Sequence, residues 1–331
     1  MVGALGAVGA QIIESLEERD FPVGTIRYLD KDNCSGEILE FKGKPVIVEE
    51  LGSCSFEGID IVFFALESDL SSEFCPVAAA AGAICIDTSS AWRLDPDVPL
   101  VVPEVNPEEI ARFRGKGVIA SPNSASIQLA VALKPLYDFS AIKRIVVSTY
   151  QSVSESGNSG MEELRIQSGE LLNGRPSDSK VYPKQIAFNC IPHIGVFQDN
   201  GCSSEEMMIV RETCKVFGDP RLKISATSVR VPVFYGHCAS VNIETIEKIP
   251  ADKAREILST APGLQLTDRP STNGYPVPVE VAGQDLVHVG RIREDDSTEN
   301  ALNLWIVADN LRKGAATNAV QIAETLVDRY L

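Results

Sequence analysis

Three short stretches of this 331-residue sequence concentrate residue types that do chemistry. Residues 120–130, ASPNSASIQLA, set a Pro-Asn turn ahead of an apolar run, with Ser124 at the junction. A hydroxyl there either attacks an electrophilic carbon or serves as an N-cap or turn residue. Residues 230–237, RVPVFYGH, begin with Arg230 and end with His237, one of only three histidines. A guanidinium fork suits a carboxylate or phosphate, and imidazole exchanges protons near neutral pH. Read alone, Arg230 reads first as a surface ion pair, and His237 as a core histidine at a strand end. Residues 1–13, MVGALGAVGAQII, carry Gly3, Gly6 and Gly9. Glycines at a strand-to-helix turn let the backbone approach a pyrophosphate seated on the helix N-terminus. The same pattern also closes a tight turn that holds no ligand. Only Met1 and Val2 precede Gly3, whereas a central strand takes about five residues, so this start reads as truncated or mis-assigned.

These stretches must be positioned by folded elements. In the first half, AQIIESLEER has helical periodicity, TIRYLD and IDIVFFAL read as strands, and SSEFCPVAAAAG is a helix ending at Gly82. AICIDTS and KGVIASPN add two more strands, and a Pro-rich extended segment from residue 95 runs into a helix. Alternation of strand and helix predicts a doubly wound parallel sheet. In the second half, IKRIVVSTYQSV, KISATSVRVPV, HCASVNIETI and LNLWIVADN are β-rich, while MEELRIQSGELL and SEEMMIVRETCKVF are helical. That pattern predicts an α+β domain on a mixed or antiparallel sheet. AATNAVQIAETLVDRYL closes the chain as an amphipathic helix.

Composition narrows the function. The formal charge of −16 would repel polyanions, which argues against nucleic-acid binding. No apolar stretch reaches membrane-spanning length, and no signal peptide is evident, so no membrane partner and a cytoplasmic location are expected. The eight cysteines form no CxxC pair and the histidines show no zinc spacing, so no metal is expected. The thiols read as reduced and mostly structural.

Taken together, these residues resemble aspartate-β-semialdehyde dehydrogenases over essentially the whole chain. The resemblance is carried by GALGAVG, SSAWRLDPDVPLVVPEVNP, SPNSASIQ, ALKPL, VSTYQSVS, QIAFNCIPHI, SVRVPVFYGH, VGRIR and DNLRKGAATNAVQIAETL. It implies a Rossmann-type doubly wound parallel sheet over residues 1–124 and 311–331, with an α+β catalytic and dimerisation domain over 125–310. It further implies NADP or NAD as cofactor, a small-molecule substrate of the aspartyl phosphate and aspartate semialdehyde class, a homodimer, and a place in amino-acid biosynthesis. The family's reaction is reductive dephosphorylation of β-aspartyl phosphate through a cysteine thioester that accepts hydride.

Carried over by position, the resemblance makes Gln151 the residue that orients substrate and His237 the general acid/base. Arg230 grips the substrate carboxylate, Arg93 binds phosphate, and Asn123 and Glu205 are further substrate-binding positions. Gly3, Leu5, Gly6, Ala7, Val8, Ser89 and Asn310 fall on the nucleotide.

Several departures accompany these matches. Ser124 stands at the nucleophilic cysteine, followed by Ala125 and Ser126 in place of Ser-Thr. A thiol titrates near 8.5, whereas a serine hydroxyl needs a base and would form an ester, a poorer hydride acceptor. Met208 replaces a phosphate-binding lysine. Asn33, flanked by Asp30 and Asp32, replaces an arginine that holds the 2′-phosphate, leaving Asp30 as either an NAD ribose ligand or a solvated loop charge. Glu67 and Ser68 fall where glycines admit the cofactor, where a carboxylate should repel it, and Glu155 stands at an active-site glycine. Weak activity is therefore expected. The alternative is a non-catalytic paralogue, from the branch lacking the cysteine, that binds a ligand or pairs with a partner subunit. An esterase-like use of Ser124 lacks both a GxSxG elbow and a third triad member.

Overall fold

A computed structural model of the protein describes residues 1–31, 36–52 and 55–331, so Asp32 and Asn33 lie outside the described residues. The first half runs α1 (Ala7–Glu18), β1 (Tyr28–Asp30), β2 (Ile38–Phe41), β3 (Lys44–Glu50), β4 (Ile61–Phe64), α2 (Ser68–Ala80), β5 (Ile84–Asp87) and β6 (Val118–Ala120). There follow α3 (Ser124–Phe139), β7 (Ile142–Gln151), α4 (Gly157–Leu172), α5 (Ser204–Phe217), β8 (Lys223–Arg230) and β9 (His237–Thr245). The chain closes with α6 (Ala251–Ser259), β10 (Leu264–Leu266), α7 (Pro278–Val281), β11 (Val287–Glu294), β12 (Ala301–Ala308) and α8 (Thr317–Tyr330). It divides into two compact units, Met1–Asn123 with Ala315–Leu331, and Ser124–Gly314.

In the first unit β4, β5 and β6 pair in parallel, and β1 pairs in parallel with β3. Val2 joins these two groups, bridging in parallel to Leu29 on one side and Phe64 on the other. The first strand is thus reduced to a stub, fixed by Val2 N–H to Phe63 O (2.9 Å) and Gly3 N–H to Leu29 O (2.8 Å). The β2–β3 hairpin at the edge of this sheet is an addition to the sequence reading. Its two-residue turn, Lys42-Gly43, takes positive φ at both positions, as a tight hairpin requires. The segment after the Pro-rich stretch forms a 3₁₀ helix over Pro107–Gly115. The apolar faces of α1 and α8 meet through residues such as Ile12, Leu16, Val320 and Ala323.

In the second unit six strands form a mixed sheet in the order β10-β11-β12-β9-β7-β8. Helix α3 packs on β7, β9, β11 and β12 and is itself covered by α5 and α6, so its residues 125–133 are all buried. That double coverage explains an apolar run with no polar face. Helix α5 starts in a reciprocal capping box, Ser203 with Glu206, and ends at Gly218 in the left-handed conformation. Residues 311–314 belong to this unit, held by Leu311 N–H to Asp309 Oδ1 (2.8 Å), Gly314 N–H to Asp309 O (3.0 Å) and Arg312 Nε to Asp285 Oδ1 (2.8 Å). Among the described residues, no helix is long and apolar enough to cross a membrane, and no His, Cys, Asp and Glu cluster could hold a metal.

Candidate active site

Strand register assembles one end of the second unit. Gln151 and Arg230 are partners at the C-terminal ends of parallel β7 and β8. His237 opens β9, antiparallel to β7, and stands opposite Ala308 at the end of β12. Residues far apart in sequence are thereby placed on one sheet edge, and the segments 151–157 and 309–314 leave from it.

His237 is fully buried and its ring is oriented by a residue that sequence reasoning missed. Ser152 donates its main-chain N–H to His237 Nδ1 at 3.2 Å. Nδ1 must then carry the lone pair, so the neutral imidazole bears its proton on Nε2. Nε2 lies 3.5 Å from Glu155 Oε2, an ion-pair distance rather than a good hydrogen bond. Ser152 Oγ donates to Asn310 Oδ1 (3.0 Å), which also accepts the Gly236 N–H (3.1 Å), while Asn310 Nδ2 donates to Ser154 Oγ (3.0 Å). Asn310, expected on the nucleotide, therefore has its amide committed to the turn that holds His237. The serine pair in SVS, directly after Gln151, was the available signal. Asn310→Ala leaves three buried partners unanswered and is expected to cost about 2–4 kcal/mol, read from urea unfolding. A loss under about 0.5 kcal/mol would refute this role for the amide.

Arg230 is buried and donates from Nη1 to Ser152 O at 2.6 Å and to Glu155 Oε2 at 2.7 Å. The surface ion pair considered from sequence is instead a buried one. Burial by itself would raise the Glu155 carboxyl, but Arg230 and His237 outweigh it and hold the group below the usual carboxylate range.

Gln151, fully buried, donates from Nε2 to Glu205 Oε1 at 2.9 Å. Glu205 lies on the buried stripe of α5 with Ile209, Glu212 and Val216, and Met208 is half-buried one turn along. Burial first, and then the Glu155 charge, raise the Glu205 carboxyl to about 8. The folded protein then holds this proton more tightly than the unfolded chain. The resulting stability is complete below the ordinary value of 4.5 and is lost as pH rises through about 8. Glu205→Gln is expected to flatten that decline between about pH 5 and about pH 9 in urea unfolding, and parallel curves for the two proteins would contradict it.

Ser124 is the first residue of α3, at the first helical position rather than the cap, and is half-buried. A Cβ on Gly314 would come within 2.7 Å of Ser124 Cβ, so the glycine is what lets residue 124 sit there.

In the first unit, a Cβ on Gly3 or Gly9 would meet backbone at 2.5 Å (Ala65 O) or 2.0 Å (Gly3 O). Exposed Gly6 differs, since its Cβ would find only ordinary contacts at 3.5 Å or more. Gly6 caps α1 without a side-chain cap, leaving Ala7 and Val8 main-chain amides in the first turn, and Leu5 is half-buried beside them. Leu5 N–H is taken by Asp30 Oδ2 at 3.2 Å, and Lys31 N–H by Asp30 Oδ1 at 2.9 Å. Asp30 is 5 % exposed, which corrects the reading of it as a solvated loop charge: the two amides draw it in. Glu67 pairs with Lys31 at 2.5 Å, so its charge is met by a cation and does not simply repel an anion. Ser89 Oγ donates to Asp87 Oδ2 (2.8 Å), a fully buried carboxylate that the sequence reading missed. Arg93 donates from Nε to Ser121 O (3.0 Å) and from Nη2 to Thr88 O (2.6 Å), tying together the segments after β5 and β6. Asn123 is buried and directly precedes Ser124.

Two family models match within the two units: the semialdehyde dehydrogenase NAD binding domain matches residues 1–113, and the semialdehyde dehydrogenase dimerisation domain matches residues 133–313. The chain belongs to the aspartate-semialdehyde dehydrogenase family. This family member is 50% identical to the aspartate-semialdehyde dehydrogenase of Aquifex aeolicus, over 100% of the chain and 98% of the relative. It is also similar to the crystal structure of aspartate semialdehyde dehydrogenase II from Vibrio cholerae complexed with ASA, with 47% identity, a TM-score of 0.98 and coverage of 100% and 98%. A probable aspartate-semialdehyde dehydrogenase from Pseudomonas aeruginosa shares 32% identity at a TM-score of 0.94, with coverage of 100% and 98%. The family assignment supplies an NAD(P)-binding domain and a dimerisation domain.

Proposed function

We propose that this protein is an NAD(P)-dependent aspartate-β-semialdehyde dehydrogenase of low activity, working as a homodimer on a small-molecule substrate in the cytoplasm. The observation that carries this reading is the grouping of Gln151, Arg230 and His237 at one end of the second unit's sheet. In this reading Arg230 grips the substrate carboxylate, Gln151 and Glu205 orient the substrate, and His237 exchanges the proton. Arg93 and Asn123 are substrate-binding positions in this reading.

The residues of the first unit fit a dinucleotide. Gly6 leaves the space that a Cβ would fill, and the Ala7 and Val8 amides are donors for a pyrophosphate. When bound, the dinucleotide exchanges hydride with the substrate carbon. Ser89 and Leu5 contact the nucleotide in this reading, while Asn310 acts through His237.

One cause of low activity in this reading lies at position 124. A serine hydroxyl needs a base during attack. His237, however, accepts the Ser152 N–H at Nδ1, so its other nitrogen, Nε2 beside Glu155, already bears the proton. Exposed Phe188, Val196 and Phe197 supply apolar surface for a second copy of the chain.

The second reading is a non-catalytic paralogue that binds a ligand or a partner, favoured by the joint change at Ser124, Glu155 and Met208. The test is phosphate-dependent oxidation of aspartate β-semialdehyde, followed at the nicotinamide absorbance with NADP and with NAD. A slow rate abolished by Ser124→Ala is expected. A rate no greater than the protein-free control would leave the second reading.

A further inference from the structure

Glu155 makes a contact that the family reaction does not use. Its Oε2 sits 2.7 Å from Arg230 Nη1 and 3.5 Å from His237 Nε2, touching both groups proposed to meet the substrate. The side chain is delivered by a short 3₁₀ turn, Val153–Ser156, that is fastened at several points. Val153 N–H donates to Val233 O at 2.9 Å, and Ser154 N–H to Phe234 O at 3.1 Å. Ser152 and Ser154 are tied to Asn310, and Ser152 O receives the same Arg230 nitrogen that reaches Glu155. The carboxylate is thus presented by a braced turn rather than by a loose loop. Arg230 is 6 % exposed and Glu155 24 % exposed, so water screens the pair only partly.

We propose that Glu155 is an internal occupant of the Arg230 carboxylate clamp, which a ligand carboxylate has to displace before Arg230 can grip it. This rests on Arg230 being the clamp proposed above. A ligand carboxylate arriving there has to displace the ion pair and also lie beside the Glu155 charge, and like charges at that range oppose each other. A neutral or cationic group faces neither cost. Glu155 is accordingly a specificity-determining residue.

The test uses the full chain, its Glu155→Gly variant, and Glu155→Gln, which keeps the side-chain volume without the charge. Thermal unfolding is followed in acetate and in chloride at equal ionic strength. Acetate is expected to raise the Tm of both variants and to leave the unmodified protein unmoved. Aspartate β-semialdehyde is expected to bind each variant at least about tenfold more tightly than the unmodified chain in calorimetry. Equal binding to all three proteins, with acetate acting on all, would show an open clamp and overturn this inference while leaving the family reading standing. If neither acetate nor the semialdehyde binds any of the three, Arg230 is not a carboxylate clamp, and the inference falls with that assignment. Turnover is read in neither arm, so a silent Ser124 cannot produce either result.

Discussion

The double variant Ser124→Cys, Glu155→Gly is expected to oxidise aspartate β-semialdehyde, in the presence of phosphate, on the order of a thousandfold faster than the unmodified chain. Two separate obstacles are removed. A thiol at residue 124 ionises far more readily than a hydroxyl, and its thioester accepts hydride better than an ester. Removing the Glu155 carboxylate releases the 2.7 Å contact it makes with Arg230 Nη1, which keeps its bond to Ser152 O. Because each obstacle blocks the same reaction, the single Ser124→Cys variant is expected to stay within about tenfold of the unmodified rate, and the gains to be strongly non-additive. Adding Met208→Lys restores a charge-assisted contact worth about 1.5–3 kcal/mol and should lower the KM for phosphate. No neighbouring thiol offers a substitute nucleophile in β9, since burial pushes the Cys238 thiol up to about 12. Initial rates for the unmodified, single, double and triple variants decide the matter. Comparable rates for the unmodified and double-variant proteins, both well above the protein-free control, would make Ser124 a competent nucleophile, and rates at the control level in both would leave the non-catalytic reading.

The second large effect separates two glycines that look alike in sequence. Gly9→Ala is expected to destabilise the fold by about 2–4 kcal/mol, because its Cβ would lie 2.0 Å from Gly3 O, a backbone atom that cannot swing away. That cost exceeds the gain in helix propensity of at most about 1 kcal/mol. Gly6→Ala should change stability by less than about 0.5 kcal/mol, since Gly6 has φ −73° and no contact closer than 3.5 Å. Nucleotide affinity should fall with Gly6→Ala even so, because the methyl group fills the space open to a pyrophosphate. Urea unfolding and titration with NADP and NAD measure the two effects independently. A Gly6→Ala protein that unfolds like Gly9→Ala, or that binds nucleotide unchanged, would contradict the division of roles.

Much of the fold was legible because its signals are local. Strand and helix alternate in the first half, and the SEEMMIVRETCKVF periodicity corresponds residue for residue to α5. The capping pair Ser203 and Glu206 and the terminal Gly218 mark its ends by chemistry that acts within one turn. The first strand was not legible, because a stub of Val2 held between Leu29 and Phe64 has no periodicity to read. Likewise, Asp30 could be placed in a loop by its neighbours, but its burial depends on Leu5 N–H, 25 residues earlier.

The site divides in the same way. The sequence by itself determined which residue types exist to do chemistry: a serine at position 124, a carboxylate at 155, Gln151, Arg230 and His237, together with the family they resemble. Only the tertiary structure decided what those groups do to one another. The register of β7, β8 and β9 brings Gln151, Arg230 and His237 to one sheet edge, and the braced turn after β7 carries Glu155 onto Arg230. The physical reason is range. Propensity, capping and turn chemistry act over a few residues and leave a pattern in the chain. A charge pair, a tautomer set by a distant amide, or a missing Cβ acts between segments separated by tens to hundreds of residues, and its outcome exists only once the sheet has closed.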